Sequence, residues 1–320
     1  MAEPARSHCQ AASQPQVTIA PRVSRCHTIQ RGENTSCRTG PTLRRGVTSP
    51  TVPDGLRRWL APRPVAVPVI LDPAQRRLVV LEILVVLTVT VGLSAMRSAL
   101  SLLDALLSPV PLAEQQVALN APAARADLVD LALQLTRVLQ LVGWGALGAY
   151  LLLRAGFGLR AIGLDRSRPR HDVLGAMGLA ALIGIPGLGL YLTARALGVS
   201  VTIAPSLLDD TWWRLPVLTL SAAANGWAEE VVMVGYLITR LGQLGWSENR
   251  SLLASASLRA SYHLYQGLGG FVGNLVMGLV FGRIWQRTNR LWVLIGAHTL
   301  IDVVAFTGYA LLRGHLAWLP

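Results

Sequence analysis

Five side chains in the last third of the sequence have the types and spacing to act together. Glu229 and Glu230 stand side by side in NGWAEEVVMVGYL, residues 225–237, with apolar runs on both sides. His263 follows in SYHLYQG, and His298 and Asp302 in LIGAHTLID. Residues four apart share a helical face, so His298 and Asp302 can point at one place. A charge at the centre of a spanning helix costs about 2.5–3.5 kcal/mol on insertion scales. Such groups persist where they face the bundle interior and have a partner or a task. A desolvated Glu can take a proton from water near neutral pH. Two imidazoles with carboxylates can ligate a divalent metal, Zn2+ being the natural choice, which would sharpen that water further. Without a metal, one His can orient the water while the other His and an acid or amide polarise a carbonyl. Either route is chemistry for hydrolysing a peptide inside a membrane. Adjacent helical residues are about 100° apart, so one Glu of the pair meets the water and the other fixes the helix by pairing elsewhere.

These groups need helices that cross a bilayer. The chain has 320 residues, 52% of them hydrophobic and 14% charged, with apolar runs near the roughly 20 residues that a crossing needs. The expected fold is an all-α polytopic membrane protein with about seven transmembrane helices, six to eight being compatible with the pattern. Spans are expected near 78–96, 127–153, 173–197, 216–239, 251–265, 271–285 and 291–312. Asp127, Asp130, Gln134 and Arg137 recur every three or four residues, which sets them on one face turned to the bundle or to water. Pro186 predicts a kink, and GLVFG (Gly278 to Gly282) predicts close helix packing. At about 1.5 Å per residue, Glu229 lies about 15 Å into its helix, His298 about 10–12 Å and His263 nearly 20 Å. The groups can therefore converge in the inner or middle membrane.

Charge sets the expected orientation. Residues 1–77 hold twelve Arg against Glu3, Glu33, Asp54 and Asp72, and the chain contains no Lys. The stretches 1–77, 154–172, 240–250 and 283–290 together carry twenty-two Arg, while the alternate loops carry few, among them Arg125, Arg214 and Arg313. By the positive-inside rule the N-terminus is cytoplasmic. Trp212 and Trp213 would form an aromatic belt at the outer interface. Residues 1–70 read as a disordered, basic cytoplasmic arm suited to anionic lipid headgroups. Aromatic interleaving and a nucleic-acid-binding motif are missing, so no nucleic acid is expected as a partner. Cys9, Cys26 and Cys37 match no zinc spacing and read as reduced thiols. The remaining expected divisions are 71–200 for the N-terminal helices and 201–320 for the membrane core that bears the site.

The sequence EEVVMVGYL, then RASYH, then HTLID in successive spans resembles the CPBP intramembrane protease family, which includes the CAAX prenyl endopeptidases. GLVFGRIWQRTNRLWVLIGAH is also similar to that family's Gly-rich span, basic turn and Leu-Trp start of the last helix. The resemblance covers about 215–312. It implies that Glu229 activates water with Glu230 in support, that His263 orients the water or binds metal, and that His298 and Asp302 are ligands or form the oxyanion site. If a metal is used, Glu229, His263, His298 and Asp302 would hold it; a metal-free mechanism stays equally open. Two positions depart from the family pattern: Val234 stands where Arg is usual, and Arg259 where an aromatic is usual. Arg259 lies one turn before His263, so the guanidinium could have moved between helices to pair with Glu230.

The implied activity is an endopeptidase acting on a membrane-bound peptide or protein in a bacterial cytoplasmic membrane. An inactive family member serving as an interaction or immunity protein is the alternative, and a proton-coupled transporter ranks below it. A purely structural salt bridge from the Glu pair to Arg137 or Arg259 is the plainest reading of those carboxylates.

Overall fold

The computed structural model describes residues 59, 61, 67–313 and 315, all within the unit Val52–Pro320. Most of the expected arm, with its three cysteines, lies outside the described residues. Among these residues the chain forms seven helical rods: α1 (Pro73–Leu107), α2 (Asp127–Arg154), α3 (Pro169–Ala196), α4 (214–243), α5 (Glu248–Ser261), α6 (Gly267–Thr288) and α7 (Leu291–Leu312). The protein is an all-α polytopic membrane protein. Five rods are long and apolar enough to cross a membrane by themselves: α1, α2, α3, α6 with its preceding turn, and α7. The fourteen residues of α5 reach only about 21 Å, short of a hydrocarbon core of about 30 Å.

The helix starts follow local chemistry. Asp72 caps α1, accepting from the N–H groups of Ala74 and Gln75 at 3.3 and 3.1 Å, with Pro73 in the first turn where its missing N–H costs nothing. Ser247 caps α5. The helix α1 is longer than its most apolar stretch because nothing after Met96 breaks it until Ser108, although a π turn interrupts it at Thr88–Gly92. The helix α3 runs through Pro186. Between α1 and α2, β1 (Gln116–Ala118) pairs in parallel with β2 (Thr202–Ala204), which tethers the α1–α2 loop to the α3–α4 loop.

Packing in lipid depends on close contact and polar pairing, since lipid tails are as apolar as leucine. In α4, Gly226 passes so near α7 that an added Cβ would lie 2.8 Å from Thr299 Oγ1 and 3.0 Å from the Ile295 carbonyl oxygen. In α6, Gly278 similarly faces the Ala256 Cα of α5 at 2.9 Å. Glu82 of α1 accepts from Arg240 Nε at 2.9 Å and from the Tyr236 hydroxyl at 2.9 Å, which pins α1 to the far end of α4. Arg290, in the α6–α7 turn, is clamped by Asp165 and Asp172. The tryptophan pair divides. Trp212 is exposed, whereas Trp213 is core, its indole N–H donating to Asp127 Oδ1 at 2.8 Å. A belt position suits only the first of them.

Candidate active site

The helix α4 changes character at the glutamate pair. Glu229 ends its α-helical part, and Glu230–Ile238 is a π segment in which every residue is buried. A π turn loosens the helical ladder, and such segments gather at functional sites. Here a neighbour takes up part of the slack: the Ser255 hydroxyl of α5 donates to the Met233 carbonyl at 2.6 Å. The two carboxylates point in different directions, as adjacent side chains on a helix do.

A cavity of about 1420 Å³ opens among α2, α3, α4, α6 and α7, and Glu229, His263, His298 and Asp302 all lie on its wall. Glu229 accepts from the Tyr262 hydroxyl at 2.7 Å through Oε2. Arg259 Nη2 stands 3.7 Å from that same oxygen. Oε1 of Glu229 takes no hydrogen bond from the described residues and is the half of the carboxylate left for a water.

Glu230 is set behind the wall and fully buried. It receives Arg259 Nη2 and His298 Nδ1 on one oxygen, the latter at 2.8 Å. Arg259 is itself 1% exposed and lies 5.8 Å from the centre of the Phe281 ring. The guanidinium thus occupies the position from which it neutralises both glutamates, and its partner is Glu230 as the one-turn spacing from His263 allows. Arg137, the other candidate partner, does not reach the pair.

His298 is held from both sides: Nδ1 by Glu230, and Nε2 3.6 Å from Asp302 Oδ2. Asp302 is anchored in turn by Asn225 Nδ2 at 2.8 Å. His263 lies past the end of α5, in the turn that leads to a short 3-10 segment. Its Nδ1 is 3.0 Å from the Arg259 carbonyl oxygen, which fixes the tautomer with the proton on Nδ1 and leaves Nε2 as an acceptor. Its ring sits between those of Tyr262, at 4.7 Å, and Tyr265, at 6.5 Å. His263 shares the wall with Glu229 and makes no hydrogen bond to either glutamate.

Tyr262 and Asn225 were not singled out in the sequence. The first is the neighbour of His263 and the second stands one turn before Glu229, so proximity to the motif was the signal available. Two of the four polar residues expected on one face of α2 are buried, Asp130 and Gln134, linked by a bond from Gln134 Nε2 to Asp130 Oδ1 at 3.1 Å. Asp127 and Arg137 are exposed.

The donor set suits a metal poorly. Among the described residues no three His, Cys, Asp or Glu side chains gather closely enough to hold an ion. Both ring nitrogens of His298 face carboxylates, and Arg259 already supplies the positive charge beside the glutamates.

Residues 211–304 match the family described as type II CAAX prenyl endopeptidase Rce1-like. Over this stretch, about a third of the chain, the sequence is similar to that family. The matched stretch runs from just before α4 into α7 and contains all five residues first picked out by their chemistry, so the resemblance carried by the three motifs is borne out at family level. No curated protein and no solved structure matches the chain.

Proposed function

We propose that the protein is an intramembrane endopeptidase that hydrolyses a membrane-associated peptide or protein by means of a water activated at Glu229. The observation that carries this reading is a carboxylate with one free oxygen on the wall of a large membrane cavity, backed by a buried arginine and a second glutamate. Glu229 Oε1 takes the proton of a water, the hydroxide attacks the scissile carbonyl, and the oxyanion forms beside His298 and Asn225. His263, with its free Nε2, orients the water. The C–N bond then breaks as Glu229 returns the proton to the leaving amine. Glu230 and Arg259 act as positioning residues, keeping Glu229 aimed and its charge balanced.

The metal-free form of this mechanism is preferred, because both ring nitrogens of His298 face carboxylates and Arg259 already supplies positive charge beside the glutamates. The arginine distribution supports an N-terminus on the cytoplasmic side with the basic arm against anionic lipid, in what we take to be a bacterial cytoplasmic membrane. Labelling of introduced cysteines from either side would test that orientation.

The deciding test is cleavage of a membrane-peptide library by purified protein, wild type beside Glu229→Ala, with and without a chelator. Cleavage lost in Glu229→Ala and retained with chelator is the expected result. Loss with chelator would restore the metal. Inert wild type would leave the interaction or immunity reading, with Val234 as its explanation.

A further inference from the structure

The chain turns back between α5 and α6 at residues 262–266, after a helix that rises only about 21 Å. The turn therefore lies at membrane depth, where backbone N–H groups need partners within the protein or on a cavity wall. Its own carbonyls meet part of that need. The His263 N–H donates to the Ala260 carbonyl at 3.1 Å, and the Gln266 N–H to the His263 carbonyl at 3.0 Å. The Tyr265 N–H leaves the turn and donates to Ser98 Oγ of α1 at 2.7 Å. The far end is seated on the α3–α4 loop. There the Ser200 hydroxyl donates to the Gln266 carbonyl at 3.0 Å, and Gly267, at φ 85°, approaches so closely that a Cβ would lie 3.0 Å from Ser200 Cα.

Ser98 stands out in its own helix. Of residues 93–107 it alone is buried, at 4% exposure, while Leu93, Met96, Leu100 and Leu103 are exposed. Close packing at that point asks only for a small side chain, which alanine would supply. The hydroxyl adds an acceptor for an N–H that the turn does not satisfy itself. What it holds adjoins the site. The Tyr265 ring stacks on the His263 ring, with 6.5 Å between centres and 20° between planes. His263 is otherwise tied to the end of α5, through Nδ1 and the Arg259 carbonyl, whereas the contact at Ser98 ties its turn to a different helix. Ser94, one turn earlier in α1, lines the same cavity as Glu229. Both serines lie outside the stretch 211–304 that matches the family.

We infer that Ser98 is a positioning residue for His263: its hydroxyl fixes the Tyr265 N–H, and through it the turn that keeps the His263 ring on the cavity wall beside Glu229. The inference rests on the proteolytic reading for what His263 does, and adds that α1, a helix outside the matched stretch, completes the site. Without the hydroxyl the Tyr265 N–H is left unpaired in a buried place, and the turn relaxes to recover a partner. Ser98 stands behind the cavity wall and does not meet the peptide. Its effect is on kcat, through the aim of His263, and not on KM.

Wild type is compared with Ser98→Ala and with the pair Ser98→Thr and Ser98→Val, which share a shape and differ in the acceptor oxygen. Amide hydrogen exchange in phosphatidylcholine nanodiscs, read by mass spectrometry on peptides covering 262–267, runs beside peptide cleavage. In Ser98→Ala and Ser98→Val that segment should exchange about fivefold faster, the factor that one ordinary hydrogen bond supplies. Exchange in α2 and α7 should stay as in wild type. The kcat value should fall by about the same factor with KM within about twofold of wild type, and Ser98→Thr should keep most of both properties. Unchanged exchange at 262–267 in Ser98→Ala overturns the inference, as does faster exchange there with undiminished kcat. Equal losses in Ser98→Thr and Ser98→Val, or exchange raised through the whole bundle, overturn it too and assign Ser98 to packing. Wild-type protein that cleaves nothing sinks the protease reading instead, and the exchange comparison then upholds or overturns the hold on the His263 turn by itself.

Discussion

Arg259 serves two carboxylates and an aromatic face from a position with almost no solvent contact. Removing one partner of a buried pair leaves the other charge uncompensated, typically at about 3–5 kcal/mol. Arg259→Leu should therefore lower thermal stability in detergent by about that amount. The double variant Arg259→Leu with Glu230→Leu should lie closer to wild type than the single variant; a plain sum of the two effects would show that the pair is not coupled. Tyr262→Phe tests a smaller claim. It removes the hydroxyl that donates to Glu229 Oε2, a hydrogen bond to a charged group worth about 1.5–3 kcal/mol. The expected result is a fall of about tenfold or more in kcat together with a lower melting temperature. An unchanged kcat would mean that Glu229 is aimed without Tyr262.

Between helices, the glycines of GLVFG do different jobs although the motif treats them alike. A Cβ at Gly278 would meet the backbone Cα of Ala256 at 2.9 Å, whereas one at Gly282 would meet the end of the Leu252 side chain at 2.4 Å. A leucine tip can rotate away and a helix backbone cannot. Gly278→Ala should thus push α6 from α5, shift Arg259 relative to the glutamates, and cost about 1–3 kcal/mol with loss of cleavage. Gly282→Ala should cost less on both counts. Melting curves and turnover of the two variants side by side decide it, and equal effects would remove the argument. The π segment has the same positional logic: it lets Ser255 take the Met233 carbonyl, while at its start Glu230 meets Arg259 and His298.

For the whole bundle, the polar clamps at its ends make stability depend on pH. In the loop after α2, the Arg290 guanidinium holds the Asp165 carboxyl below the ordinary aspartate value of 3.8. A carboxylate with a depressed folded-state pKa adds stability that is fully present above the unfolded value and is lost as pH falls through the folded one. The protein should therefore lose melting temperature below about pH 4. Asp165→Asn should melt lower than wild type at neutral pH, and the gap should close in acid. A gap that stays constant with pH would show that the clamp works through packing alone.

Much of this was legible in the sequence because it depends on short-range rules. Apolar run length predicts helices, insertion cost singles out Glu229, Glu230, His298 and Asp302, and a four-residue spacing joins the last two. The order of three motifs was enough to point to the family. What the tertiary structure decided concerns how helices are rotated and how closely they approach. Adjacent helical residues point about 100° apart, so one glutamate had to turn from the cavity, and the rotation of α4 decides that it is Glu230. Two adjacent tryptophans look like one belt, yet Trp213 is drawn inward to Asp127. The α5 helix appeared to be a full crossing because its apolar stretch ran on through Tyr262 and His263, where the backbone turns instead. The roles of Tyr262 and Asn225 emerge only when helices distant in sequence are packed together, since burial and partner choice are properties of the bundle and not of any one segment.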